Sequence, residues 1–338
     1  MIKKNSIIII FAVIFFAGAS NSLIVTVRDH FGGQDDGVVL GAFDSADEPL
    51  FFVAESLPIE SYQPLRTHDS YDLTVENAHA SIVLDVDSGT VLHADNANEH
   101  RQIASLTKIV TAMLVIDHVK DREELLTVSE RATKVVGSKV GCPSSGYCKS
   151  NRIVAGEELK VNDTLKAMLM SSSNDAATAL AEHIGGDMEG FVAMMNERMR
   201  ELDLHDTNFC TPSGLETDGI EKSCYSTAYD IASVMVHMLA HPQYDVLWEI
   251  MRTEEDIFYG ENGQLEHKIG NTDKLLGELD GLVGAKTGFT PNAGFSLILA
   301  AQDPEQKHRV VAVVLDNPYR WNDIQDMVAW AFDSHQWQ

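Results

Sequence analysis

Apolar and polar positions along this chain repeat with two periods, and the change from one to the other marks out its elements. Ile82-Val83-Leu84-Asp85-Val86 and Thr90-Val91-Leu92-His93, joined by Asp87-Ser88-Gly89, read as strand, tight turn and strand. From Ser105 the period lengthens, with Ile109, Met113 and Ile116 on one helical stripe. Residues 121–162 read as loops and short strands. The stretch 163–184 is helical again but broken by Ser171-Ser172-Ser173-Asn174-Asp175, and Gly185-Gly186 stops it. Two further helices are predicted, Met188–Glu201 and 226–239. Strands return after Lys286-Thr287-Gly288, at 295–301 and 310–315, with a hairpin around Asp303-Pro304. A closing helix over 321–332 carries Ile324, Val328 and Phe332 on one side. The pattern predicts an α/β (α+β) fold: N- and C-terminal strands join in one antiparallel sheet flanked by helices, with an all-helical block inserted between them. No internal repeat is visible.

The 338 residues suffice for one large domain or two ordinary ones. Acidic residues outnumber basic ones 51 to 25, a net charge of −26, and such a surface repels phosphate backbones, so nucleic acid is a poor candidate partner and none is expected. Lys3 and Lys4 precede an apolar run over 7–16, and Ala17-Gly18-Ala19 offers a small-residue cleavage site, as in a secretory signal. No residue from Ile7 to Val27 is charged, which is also long enough for a bilayer span of about 20 residues. Residues 1–27 are therefore a signal peptide or an N-terminal membrane anchor, and either exports the remainder of the chain. Residues 28–74, with ten acidic and two basic side chains and no periodicity, read as a flexible acidic linker. The folded domain is expected over 75–338.

Export agrees with four cysteines, an even count that reads as disulfides outside the cytoplasm. Three connectivities exist; pairing of neighbours, Cys142 with Cys148 and Cys210 with Cys224, closes one local loop each and is the expectation. The spacings do not match zinc patterns, His237 and His241 lack a third ligand, and Asp85-x-Asp87-x-Gly89 lacks the later positions of a calcium loop. No metal and no cofactor are expected.

Ser105-x-x-Lys108 opens the first helical run and carries chemistry. Positions three apart share a helix face, so the Lys108 amine can reach the Ser105 hydroxyl. Serine is a weak nucleophile until a neighbouring base takes its proton. A lysine acting as that base near neutrality needs its pKa lowered by about three units, through desolvation or a nearby like charge.

Ser105-x-x-Lys108, Ser172-Ser173-Asn174 and Lys286-Thr287-Gly288 occur in the order of the penicilloyl-serine transferases. Their flanks, such as Tyr225-Ser226-Thr227-Ala228-Tyr229-Asp230 and Asn271-Thr272-Asp273-Lys274-Leu275-Leu276-Gly277, resemble low-molecular-mass penicillin-binding proteins that are serine D-Ala-D-Ala carboxypeptidases. The resemblance covers about residues 75–335. It implies a β-lactamase/transpeptidase-like fold, a substrate of peptidoglycan stem peptides ending in D-Ala-D-Ala, and β-lactams as covalent inhibitors. It implies these roles: Ser105 as nucleophile, Lys108 as its base with Lys286 as the like charge, and Ser172 relaying a proton to the leaving amine. Asn174 would hold the substrate amide and the Lys108 head group, and Thr287 with Lys286 the terminal carboxylate. Gly288 would let the strand approach closely, and the backbone N–H groups of Ser105 and Phe289 would bind the oxyanion. Arg309 is a further candidate for the carboxylate.

There are departures from the family pattern. Ser213-Gly214 stands where this branch commonly has His-Gly, and the Cys142–Cys148 loop looks like an addition. The chain runs about 50 residues past Lys286, too few for the β-rich second domain and amphipathic C-terminal anchor of many relatives, which favours an N-terminal anchor. A class A β-lactamase needs a general-base glutamate in a Glu-x-x-Leu-Asn segment, and nothing between Asn174 and Lys286 fits. The rival within the family is a D,D-endopeptidase cutting cross-links. A non-catalytic binder would be expected to have lost Ser105 or Lys108, and both are present.

Overall fold

A computed structural model describes residues 12–16, 23–27 and 63–338, apart from 69, 144–146, 217–222, 262 and 306. The chain divides into two units, Met1–Ser61 and Tyr62–Gln338. In the first, β1 (Ala12–Phe16) and β2 (Leu23–Val27) form an antiparallel pair with Ala12 opposite Val27. The rest of the expected signal or anchor, and the expected linker as far as 62, lie outside the described residues. Among the described residues no helix is long and apolar enough to cross a membrane.

The second unit starts before residue 75, where the sequence pattern puts the boundary. Its first strand, β3 (Pro64–Arg66), already pairs with the chain's other end. Next come β4 (Ala80–Asp85) and β5 (Val91–Asp95), the expected hairpin. Asp85 closes the turn by accepting from Ser88 N–H at 2.8 Å, and Gly89 takes the positive φ, 68°, that the turn needs. A 3₁₀ turn, Ala104–Thr107, leads into α1 (Lys108–His118), which is buried along its first two turns. The segment that reads as loops and short strands holds β6 (Leu125–Thr127) and β7 (Glu158–Lys160), and between them the short α2 (Glu130–Lys134). The broken helix is in fact two, α3 (Val161–Met170) and α4 (Asn174–Gly185), and the polar run is the break. Then follow α5 (Met188–Glu201), α6 (Ala228–Leu239), α7 (Asp245–Met251) and a hairpin of β8 (Glu255–Tyr259) and β9 (Glu266–Gly270). The chain ends with β10 (Leu282–Thr290), β11 (Gly294–Gln302), β12 (Arg309–Leu315), α8 (Arg320–Ser334) and β13 (His335–Trp337), the partner of β3.

N- and C-terminal strands do share one antiparallel sheet, in the order β10-β11-β12-β4-β5. Alternate residues of its strands feed two cores. Ile82, Ile298, Val311 and Val313 face the helical block, whereas Val83, Leu297, Ala312 and Val314 face Ile324, Met327 and Trp330 of α8. A sheet buried on both faces is a stiff platform, and β10 lies at its edge, where a strand's outer hydrogen-bonding side stays open. Disulfides join Cys142 to Cys148 and Cys210 to Cys224, as local pairing predicts.

Candidate active site

Three segments far apart in sequence meet beside β10. Ser105 sits in the 3₁₀ turn ahead of α1, and Ala104 before it is held at φ 49°, a left-handed conformation that costs an alanine about 1 kcal/mol or more. Two glycines press on this turn. A Cβ on Gly214 would fall 1.8 Å from Ala104 O, and one on Gly288 would fall 2.9 Å from Ile103 O and 3.4 Å from Ser105 N. The strand can pass this close to Ser105 because Gly288 has no side chain.

Lys108 is fully buried, and its Nζ lies 2.7 Å from Ser105 Oγ, 2.8 Å from Asn174 Oδ1 and 2.9 Å from Ser213 O. The last two oxygens can only accept. An unprotonated amine has two N–H groups; both go to those oxygens, and its lone pair is left facing the Ser105 hydroxyl. Burial, and then the charge of Lys286, hold this lysine well below its ordinary value of 10.5, against an upward pull from Asp175. Lys286 is equally buried, and desolvation with the charge of Arg320 pushes it down to about 7, opposed by Asp273.

The second wall is the break between α3 and α4. Ser172 sits at φ 56°, and Asn174 opens α4 with its side chain on Lys108 and its Nδ2 donating to Val136 O at 2.8 Å. The Asn174 N–H donates to Ser138 O at 2.7 Å. Asp175, next along, accepts Val140 N–H on both oxygens at 3.1 and 3.2 Å, and burial raises its carboxyl to about 6. Residues 136–140 are thus laced to the head of α4 and form a side of the cleft.

The third wall is β10. Thr287 shares a hydrogen bond with Thr272 at 2.8 Å, and Lys286 Nζ donates to Thr287 O at 3.2 Å. Arg320, at the start of α8, donates to Gly288 O at 2.8 Å and Ser296 O at 2.9 Å. The half-exposed Phe289 stacks on Phe295 with centroids 4.5 Å apart. Ser105, Ser172, Asn174, Thr287, Gly288 and Phe289 line one cleft, with Lys108 and Lys286 beneath it.

Arg309 is not part of this site. It donates to Leu239 O at 3.1 Å and to Asp87 at 3.0 Å. Sheet register explains the misplacement: Val313, not Arg309, stands level with Ile298 and Lys286 across the strands. The cation that does line the cleft is Arg320, which sequence reasoning missed along with Thr272, Asp175 and the Ser213 carbonyl. Asp175, a charged residue directly after a motif asparagine in an alanine-rich helix, gives the one readable signal among them. Among the described residues no group of three His, Cys, Asp or Glu side chains is placed to hold a metal.

An antiparallel sheet with an inserted helical block, and a serine–lysine pair where that block meets its edge strand, defines the penicillin-binding, transpeptidase-like class of serine enzymes. Residues 67–319 match the profile of the D-alanyl-D-alanine carboxypeptidase family, and the chain belongs to that family. It is 31% identical over 272 residues to the D-alanyl-D-alanine carboxypeptidase DacF of Bacillus subtilis, covering 78% of this chain and 65% of that one. It is 28% identical over 221 residues to a D-alanyl-D-alanine endopeptidase of Escherichia coli, 65% of this chain and 66% of that one. The crystal structure of a D-alanyl-D-alanine carboxypeptidase from Mycobacterium tuberculosis superposes with a TM-score of 0.67 at 27% identity, over 80% of this chain and 96% of the other. The chain therefore spans just under two thirds of the length of the Bacillus relative.

Proposed function

We propose that the protein is a serine D-Ala-D-Ala carboxypeptidase of the cell envelope, removing the terminal D-alanine from peptidoglycan stem pentapeptides through an acyl-enzyme on Ser105. The observation that carries this is the buried Lys108 Nζ 2.7 Å from Ser105 Oγ, its two other partners, Asn174 Oδ1 and the Ser213 carbonyl, being acceptors only. Lys108 takes the Ser105 proton as Oγ attacks the penultimate D-alanine carbonyl, and the oxyanion falls between the N–H groups of Ser105 and Phe289. Ser172 relays the proton that Lys108 took from Ser105 to the leaving amine, which returns Lys108 to its neutral form, while Asn174 holds the substrate amide. Thr287, with the Lys286 charge behind it, binds the terminal carboxylate. Water then attacks the ester, with Lys108 again as base, and frees Ser105. β-Lactams present the same carbonyl and carboxylate and acylate Ser105 as inhibitors. Residues 1–27 export the chain as a signal or hold it at the membrane, and the acidic stretch from 28 to the start of the folded unit at 62 serves as the tether.

Similarity to an endopeptidase keeps one second reading in view, cleavage of D,D-cross-links by the same groups. Mass spectrometry of muropeptides incubated with the purified protein, beside Ser105→Ala, separates the two. Pentapeptides becoming tetrapeptides, with no change in the variant, is the expected result. Cross-linked dimers falling to monomers would make it an endopeptidase, and no change in either would overturn both readings.

A further inference from the structure

We propose that the Cys210–Cys224 disulfide is a positioning element for acylation: it fixes the backbone segment that orients Lys108 and seats the turn carrying Ser105. The proposal rests on the reading of Ser105 and Lys108 as the reacting pair. Three consecutive residues just after Cys210 each engage the nucleophile's helix. Pro212 O accepts from Thr111 Oγ1 at 2.7 Å, and Ser213 O accepts from Lys108 Nζ at 2.9 Å. Gly214 lies against Ala104 O so closely that no Cβ fits. On the other side of the bond, Tyr225 pairs with Asn208, and Ser226 exchanges backbone hydrogen bonds of 2.8 and 2.9 Å with Arg101, just upstream of the turn. The disulfide therefore ties together both segments that hold residues 101–111.

Both cysteines line a small solvent-open pocket together with Ile103, Ala104, Thr107 and Gly214. Beside it the covalent bond adds a fixed link to the backbone pairing of Asn208 with Tyr225. Neither cysteine is fully buried. A dithiol reductant breaks S–S, leaves two cysteine thiols and departs as its own cyclic disulfide. The Ser213 carbonyl is then free to leave Lys108. Once it does, the amine keeps only Asn174 as an acceptor-only partner, and its lone pair is no longer directed at Ser105. A displacement of about 1 Å in such a site costs up to about 10²-fold in rate.

The test is labelling by a fluorescent penicillin, with rate constant and final amplitude recorded separately. Cys210→Ala/Cys224→Ala, and wild type treated with dithiothreitol in the cold, are compared with the oxidised protein. The expected result is an acylation rate constant lower by about tenfold or more at unchanged amplitude, restored when the reduced wild type is reoxidised. A bond that matters only for stability lowers the amplitude and leaves the rate constant of the remaining folded protein alone, and that result overturns the proposal. Dithiothreitol also opens Cys142–Cys148, so Cys142→Ala/Cys148→Ala is reduced in parallel. Its rate must fall as the wild type's does, and a loss that disappears in that background is equally fatal. If the Cys210 and Cys224 variant does not fold, the reduction and reoxidation arm decides. Oxidised wild type that is not labelled at Ser105 marks failure of the underlying site reading instead.

Discussion

Replacing Lys286 by methionine is expected to stabilise the protein while removing its activity. Methionine keeps most of the lysine stem and drops the ammonium, which is buried and held at about 7 against an ordinary 10.5. That gap corresponds to roughly 5 kcal/mol at about 1.36 kcal/mol per pH unit. Its sign follows from where the proton sits. Below pH 7 the amine is protonated in folded and unfolded chains alike, and the fold carries the whole cost of burying the charge. Between about 7 and 10.5 the unfolded chain holds the proton and the folded one does not, so wild-type stability climbs with pH. The variant loses one hydrogen bond, to Thr287 O, worth about 1 kcal/mol. Asp273 also loses the cation that draws down its burial-raised carboxyl, which takes back a further part. The net expectation is a gain of about 2–3 kcal/mol at pH 6–7, shrinking as the pH approaches 10. Urea unfolding at pH 6, 7, 8 and 9 reads this directly as the difference between variant and wild type. A variant less stable than wild type at pH 6, or a difference that does not narrow as pH rises, refutes the reasoning.

Two further substitutions probe the segment that carries Ser105. Lys108→Ala is expected to slow acylation by labelled penicillin by about 10²–10⁴ with the fold retained, as loss of a general base does; turnover at the wild-type rate would remove Lys108 from that role. Gly214→Ala puts a Cβ 1.8 Å from Ala104 O at φ 74°, and is expected to cost about 1–3 kcal/mol in stability as well as slowing acylation. An unchanged urea midpoint would mean that the 213–214 segment does not press on the Ser105 turn.

What the sequence conveys and what it withholds divide along physical lines. Apolar period alone locates the β4–β5 hairpin, α5, the C-terminal strands and the helix closing the chain, because each buries one face or both against a core. The order of strands, helical block and strands then implies a single sheet, as observed. Pairing of the chain's ends, β3 with β13, is hidden because three residues in an acidic, aperiodic stretch carry no pattern. Short elements such as α7 escape for the same reason. The site shows the opposite effect. The polar run at 171–175 looks like a defect in a long helix, and it is the point where the helix breaks to present Ser172 and Asn174. Arg309 as a candidate for the carboxylate fails on register, which depends on which residues pair across strands, and Arg320 gives no signal in the sequence. The Ser213 carbonyl is beyond reach of side-chain reasoning altogether, since a backbone acceptor has no residue identity. For the same reason the departure from His-Gly to Ser213-Gly214 leaves the hydrogen bond to Lys108 in place.

The unfavourable features of this unit are concentrated where the chemistry is proposed. Two lysines are buried with lowered pKa values, and Ala104 and Ser172 sit in left-handed conformations, all beside one cleft. None of these is stable locally. Ala104 is held between Gly214 on one side and the Ile103–Gly288 approach on the other, and Lys108 is held by acceptors from α4 and from the Cys210–Cys224 segment. The helical block and the sheet must both be folded before Lys108 acquires its partners and its depressed pKa. Separate halves would offer an ordinary serine and an ordinary, protonated lysine. The double-sided core therefore does more than keep the chain folded: it backs a strained, charge-burying arrangement at the edge of the sheet. Stability and catalysis oppose each other at the same atoms, which is why Lys286→Met is expected to improve the first and remove the second.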